Sequence, residues 1–325
     1  MRSHWPVRLV VASTLASCVF TGVPATARTG TRPVDSTAPD VVPGAQLPAA
    51  RVRHYRMSGA VRPLLFWIGR DDIGLARITW RRGSNGTYGY ELLVGTDPAL
   101  APRSLNRWGY IAEEALGPAD GSVLAMMSGS HDTSYDEEAA SVARPPAKGD
   151  VRAIRASLQN GAATWQVASV QTPVALTIRD VDAALERVRQ DTARTAPRQA
   201  RVAPGFRPGF LTAVSELIDG AVQASSDPAR AHVGPGARVE YIFGGDLYEL
   251  QLRAAEPLVA SYAGRPTPAV RTSFEIRTLA TGARTRFDVT SATRGDMAGV
   301  PLSMEWQPRW WLRVRLDLDE PGRPQ

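Results

Sequence analysis

The stretch IGLARITWRRGSNGTYGYELLVG, residues 73–95, decides the fold class. In Ile73–Trp80 the side chains of Ala76, Ile78 and Trp80 fall on one side of an extended chain, and Leu75, Arg77 and Thr79 on the other. Thr87–Gly95 repeats the pattern through Tyr88, Tyr90, Leu92 and Val94. Between them lies Gly83-Ser84-Asn85-Gly86. Asn-Gly accepts the positive φ angles of a tight hairpin turn whose twist matches the flanking strands. Upstream, the apolar run Leu64–Gly69 ends at the polar turn Arg70-Asp71-Asp72, so residues 62–95 read as a three-stranded meander.

The same grammar recurs along the chain. Val151–Gln159 and Ala162–Gln171 flank Asn160-Gly161, and Arg238–Phe243 and Asp246–Arg253 flank Gly244-Gly245. Val270–Leu279 and Arg284–Thr290 flank Ala280–Ala283, and Leu302–Trp306 and Trp310–Asp317 flank Gln307-Pro308-Arg309. About ten strands joined by short turns call for antiparallel pairing, because parallel strands need crossovers of a dozen or more residues. Helices are few. Asp180 is an N-cap for Val181–Arg194, and Phe210, Leu211, Val214, Leu217, Ile218, Ala221 and Val222 recur at helical spacing over 210–224. The amphipathic stripe of the second helix predicts packing on a sheet. The expectation is a strand-dominated α+β fold of antiparallel hairpins and meanders, a sheet sandwich or a partly open barrel, with two or three helices. Residues 51–195 form a β-rich N-terminal region, 196–237 a linker carrying the 210–224 helix, and 238–325 a β-rich C-terminal region, in one domain or two.

Residues 1–27 read as an export signal. Arg2 and Arg8 precede an uncharged stretch from Leu9 to Val23, and Ala25-Thr26-Ala27 has the small-x-small form of a cleavage site. The stretch is too short, and too diluted by Ser and Thr, for a membrane span. Leu15-Ala16-Ser17-Cys18 resembles the lipobox of bacterial lipoproteins, but an apolar run continues after Cys18, which favours simple cleavage after Ala27. Either route places the mature chain in the periplasm or outside the cell. Residues 28–50, rich in Pro, Ala and Thr, read as a flexible tether.

Composition narrows the chemistry. The formal net charge of +6 comes from 38 basic and 32 acidic residues. Lys148 is the sole lysine, and the arginines are dispersed among acids without a basic block, so nucleic-acid binding is not indicated. One cysteine excludes a disulfide framework and a cysteine-based metal site. With His54, His131 and His232 as the histidines after the signal, and no Gly-x-Ser-x-Gly elbow, nothing marks a hydrolase triad. Ser130–Glu138 imitates the start of a calcium loop but has Glu137 where the loop needs Gly, and reads better as a capping box from Ser134 to Glu137. Asp71-Asp72 and Glu113-Glu114 are the candidate carboxylate pairs for an envelope-polymer hydrolase, though such pairs are ordinarily solvated surface.

The aromatic residues carry the remaining signal. Trp67, Trp80, Trp108, Tyr110, Trp306, Trp310 and Trp311 all fall in strands or beside turns and are the candidate contact residues for a ligand or partner. Trp310-Trp311, if in a strand, puts one ring on each face of the sheet. The reading is an exported, non-catalytic binding, carrier or assembly protein that needs no cofactor and takes an apolar ligand or an envelope protein. Its only link to a membrane would be a lipid on Cys18.

Overall fold

The structure, a computed structural model, describes residues 49–62, 66–83, 87–96, 107–115, 122–130, 149–172, 195–227, 233–309 and 312–319. Among these, one antiparallel sheet has 14 strands. The first eight are β1 (Ala49–Val61), β2 (Ile68–Arg82), β3 (Tyr88–Thr96), β4 (Arg107–Ala115), β5 (Ser122–Ser130), β6 (Gly149–Gln159), β7 (Ala162–Thr172) and β8 (Arg198–Arg201). The other six are β9 (Arg238–Phe243), β10 (Asp246–Tyr262), β11 (Arg265–Thr278), β12 (Arg284–Ala292), β13 (Pro301–Arg309) and β14 (Leu312–Leu318). The spatial order is β8-β7-β6-β5-β4-β3-β2-β1-β14-β13-β12-β11-β10-β9. Two meanders are therefore joined where the first strand pairs with the last, Tyr55 opposite Leu318 and Val61 opposite Leu312.

Turn chemistry explains the hairpins. Asn160 and Gly161 have φ of 51° and 72°, and Gly244 and Gly245 have 62° and 99°, the positive pair a two-residue turn requires. Arg82 pairs with Tyr88 as the Asn-Gly signal predicts, and the Gly83 amide closes that turn on the Thr87 carbonyl at 2.8 Å; residues 84–86 lie outside the described residues.

Several expectations need correcting. The polar break expected at Arg70-Asp71-Asp72 is not a turn: β2 runs through it, and Asp72 absorbs the irregularity at a φ of 54°. Strands β4 and β5 were not anticipated, because Glu113-Glu114 in one and the continuous Val123–Met127 run in the other obscure a period of two. Nor was the long β10–β11 arm, where Pro257, Pro266 and Pro268 mask a paired hairpin that ends only at Ala263-Gly264. Gln307-Pro308-Arg309 lies in β13 around a register shift instead of forming a turn, and β14 begins at Leu312; Trp310 and Trp311 lie outside the described residues. Residues 198–201, expected to be linker, form an edge strand on β7. The signal segment 1–27, Cys18, most of the tether, the 181–194 helix and residues 131–138 also lie outside the described residues.

The helix expected over 210–224 spans Phe210–Ser226 and is here α1. Its apolar stripe, Ala213, Leu217, Ile218, Ala221 and Val222, is buried against Val239, Tyr241, Leu250, Leu252, Val270, Phe274 and Val289 of β9–β12. The same helix touches β3 and β4 on its other side. It therefore lies inside the curl of the sheet, where each buried Leu or Ile stabilises by about 1.5–3 kcal/mol.

The two ends of the sheet approach each other without closing the ladder. Between the β8 side and β9 there is a single parallel bridge, Arg207 with Tyr241, among the described residues. Side chains complete the seam: the Trp165 indole donates to the Gly245 carbonyl at 3.1 Å, and the Ala203 amide donates to Glu240 Oε2 at 2.8 Å. Ile154, Trp165, Phe206 and Ile242 bury a second cluster beneath it. Outward-facing positions of β11–β14 carry a charged lattice, Arg271, Asp288, Glu305 and Arg315, around a shallow depression of about 140 Å³. In β11–β14 this apolar-inside, charged-outside pattern is the reverse of that of a lipid-facing barrel.

Candidate functional site

The register of β1–β4 builds the site. Arg51 lies opposite Trp80, Trp80 opposite Tyr90 and Tyr90 opposite Glu113, so one row crosses four strands. The next row is Arg53, Ile78, Leu92 and Ile111, and the third runs Tyr55, Ala76 and Val94. Alternation puts all three rows on one face of the sheet. That face looks at α1, because Tyr90 hydrogen-bonds Ser215 and Glu113 bonds the helix start.

Glu113 is the most constrained group here. Only 1% exposed, its carboxylate accepts the Leu211 amide at 2.7 Å and the Thr212 amide and hydroxyl at 2.8 and 2.9 Å. It is a helix cap supplied from another element. Gly209 precedes the helix and has no side chain to cap it; a Cβ there would overlap the Glu113 carboxylate. Burial pushes the Glu113 carboxyl up to about 7 against the opposing pull of those donors. The expectation that Glu113 is solvated surface is overturned. Asp71 and Asp72 stay exposed, and Asp72 sits 3.6 Å from Arg56. The two carboxylate pairs are not brought together, and both Glu113 oxygens are occupied by the helix.

The rows nearest the helix are aromatic and cationic. The Arg51 guanidinium lies 4.4 Å from the centre of the Trp80 ring. Burial lowers the Arg51 pKa and raises that of Asp219, each partly offset by the other's charge. Arg53 donates to the Val52 carbonyl at 2.9 Å and to Met297 Sδ at 3.9 Å, on a 3₁₀ turn at Gly295–Met297. Burial pushes the Tyr90 hydroxyl up to about 12. Ile78, Trp80, Leu92, Val94 and both arginines are only half-buried although they face inward. In the other half the inward Leu250, Leu252, Val270 and Phe274 are at most 1% exposed. Ile276 and Phe287 of that half are half-buried too. In the first half Tyr55 and Ala76 are fully buried, with Ile78 and Val94 packed against their cluster. The accessible part of the face therefore centres on Trp80, Leu92 and the two arginines.

The predicted aromatic set is divided by the fold. Trp80 belongs to the accessible face. Trp67 stands at the opposite end of β2, roughly 40 Å along the strand, half-buried beside exposed Phe66 and Ile68, with the Arg313 guanidinium 4.7 Å from its ring. Trp306 is half-buried in β13 opposite Phe287. Trp108 and Tyr110 sit in β4 opposite Gly95 and Leu93, with their side chains outside the described residues. Sequence reasoning missed Arg51, Arg53 and Tyr90 as site residues and Trp165 as the pin of the seam, and it weighed Glu113 only as a hydrolase carboxylate or a solvated acid. Tyr90 was legible from its alternation with Trp80's neighbours, but no local pattern marks a glutamate that caps a helix about 100 residues away.

Fold and face together define a barrel-like, strand-dominated protein whose sheet curls around one helix without closing. No protein-family model and no curated protein matches the chain. Among solved structures it is similar to the crystal structure of a β-barrel-like protein of the domain of unknown function DUF1849 from Brucella abortus. The TM-score is 0.47 and the identity 7%, over 84% of this chain and 98% of that one.

Proposed function

We propose that the protein is an exported, non-catalytic binding or carrier protein that takes an apolar ligand against the inner face of β1–β3. The observation that carries this reading is the half-buried state of inward-facing Ile78, Trp80 and Leu92, of which Trp80 and Leu92 pack against no buried cluster among the described residues. Apolar side chains left accessible inside a curled sheet favour a ligand that removes them from water. Export rests on residues 1–27, with cleavage after Ala27 and Cys18 as the alternative lipid site. The periplasm or the extracellular space is then where the ligand is met.

Titrating the protein with dodecan-1-ol, followed by calorimetry and by thermal melting, tests the binding step. Binding should raise the melting temperature, and Trp80→Ala should weaken it by roughly 30-fold, as for an aromatic anchor worth about 2 kcal/mol. A Trp80→Ala protein that melts like wild type and binds dodecan-1-ol equally well would remove the inner face from consideration. Intact-mass measurement of the exported chain decides the leader: Arg28 as its first residue supports cleavage, and a diacylglyceryl group on Cys18 overturns it.

A further inference from the structure

Two guanidiniums stand on the inner face with few acids to answer them. Arg51 and Arg53 share one face through their pairing with Trp80 and Ile78. Among the described residues neither has a carboxylate within ion-pair distance. Resting on the ligand reading above, we propose that the bound molecule is an amphiphile with an anionic carboxylate or phosphate head, held by Arg51 and Arg53 while its apolar chain lies on Ile78, Trp80 and Leu92.

The arrangement suits that division of labour. Arg51 stacks on Trp80 at 4.4 Å, which fixes its planar fork while leaving its N–H edge for an acceptor. Arg53 spends one nitrogen on a backbone carbonyl and another on a thioether sulfur, a weak acceptor that an oxyanion readily outcompetes. Glu113 is committed to the helix N-terminus, and Asp219, exposed on α1, partly offsets the charge of Arg51 without forming an ion pair with it. Ile78 and Leu92 continue directly from Arg53 along one row, so head and chain sites adjoin.

Calorimetric titration of the exported full-length protein with dodecanoate, dodecyl phosphate, dodecan-1-ol and dodecyltrimethylammonium, each below its micelle concentration, tests the proposal. The anionic probes should bind roughly 10- to 100-fold more tightly than dodecan-1-ol, the range that charge-assisted hydrogen bonds supply. The cation should bind most weakly. Arg53→Gln should erase most of the anion preference, read as the ratio of anionic-probe to dodecan-1-ol affinity within each protein; Arg51→Gln, checked by melting, is the second variant. The tighter of the two anionic probes identifies carboxylate or phosphate as the head. Equal affinity for charged and uncharged probes, or an anion preference that survives both substitutions, overturns the proposal and leaves the interior-ligand reading standing. Failure of all four probes to bind overturns both.

Discussion

The two halves of the sheet solve the same problem differently. The inner face of β9–β12 spends its apolar side chains on α1: Phe274 stacks on Phe287 with ring centres 4.9 Å apart, and Leu250 and Leu252 are fully buried. The inner face of β1–β4 meets the same helix through polar groups, Tyr90 on Ser215 and Glu113 on the helix N-terminus. The helix is glued on one side and pinned on the other. A pinned side keeps its spacing without filling it, and this is how one curled sheet provides both a core and an accessible face.

The largest effect should come from the C-terminal half. Phe274→Ala is expected to cost about 3–5 kcal/mol of stability, as truncation of a fully packed Phe does. Trp80→Ala, on the half-buried face, is expected to cost less than about 2 kcal/mol while losing ligand. Urea denaturation of the two variants side by side measures the contrast, and equal losses would break it.

The pin has a pH signature. Because the folded Glu113 carboxyl is raised from its ordinary 4.5 to about 7, folding favours its protonated form. Its stabilising contribution is complete below about pH 4.5 and is lost as pH rises through about 7, by about 3 kcal/mol at most. Wild type should therefore weaken over that interval in urea unfolding, and Glu113→Gln should flatten this part of the profile. An unchanged slope in Glu113→Gln would assign the pH dependence elsewhere.

Gly209→Ala sharpens the same point from the helix side. Its Cβ would overlap the Glu113 carboxylate, and the expected loss, about 1–3 kcal/mol in a thermal melt, is that of overpacking. A neutral substitution would mean that the helix start has room to shift. The smallest effect belongs to the seam. Trp165→Phe keeps most of the buried volume but removes the indole donor to Gly245, at an expected cost of about 1 kcal/mol. Amide exchange concentrated in β8 and β9 should report it, and exchange spread evenly through the sheet would not fit.

The fold was legible where local chemistry is sufficient. Asn160-Gly161 and Gly244-Gly245 announce tight turns because few other dipeptides tolerate positive φ twice in succession. The apolar spacing of α1 announced its buried stripe. Elements held mainly by their neighbours were not legible. β4 and β5 have weak patterns of their own, and Pro-containing β10–β11 looks unpaired until its partner is seen. Alternation in β3 identified two faces but not their burial: Leu93 and Glu91, opposite to the Tyr88–Val94 set, are the more deeply covered.

By itself the sequence determined the antiparallel class, the Asn-Gly and Gly-Gly hairpins, the amphipathic helix and an expected leader, because each depends on backbone preferences and periodicities a few residues long. Only the tertiary structure decided that β1 pairs with β14, that the helix lies within the curl, and that Arg51, Arg53, Trp80 and Tyr90 share one accessible face. It also decided that Glu113 is a buried cap and not a solvated acid. The reason is physical: the burial and charge environment of a side chain come from residues distant in sequence, and strand periodicity gives each residue a face without saying what that face will meet.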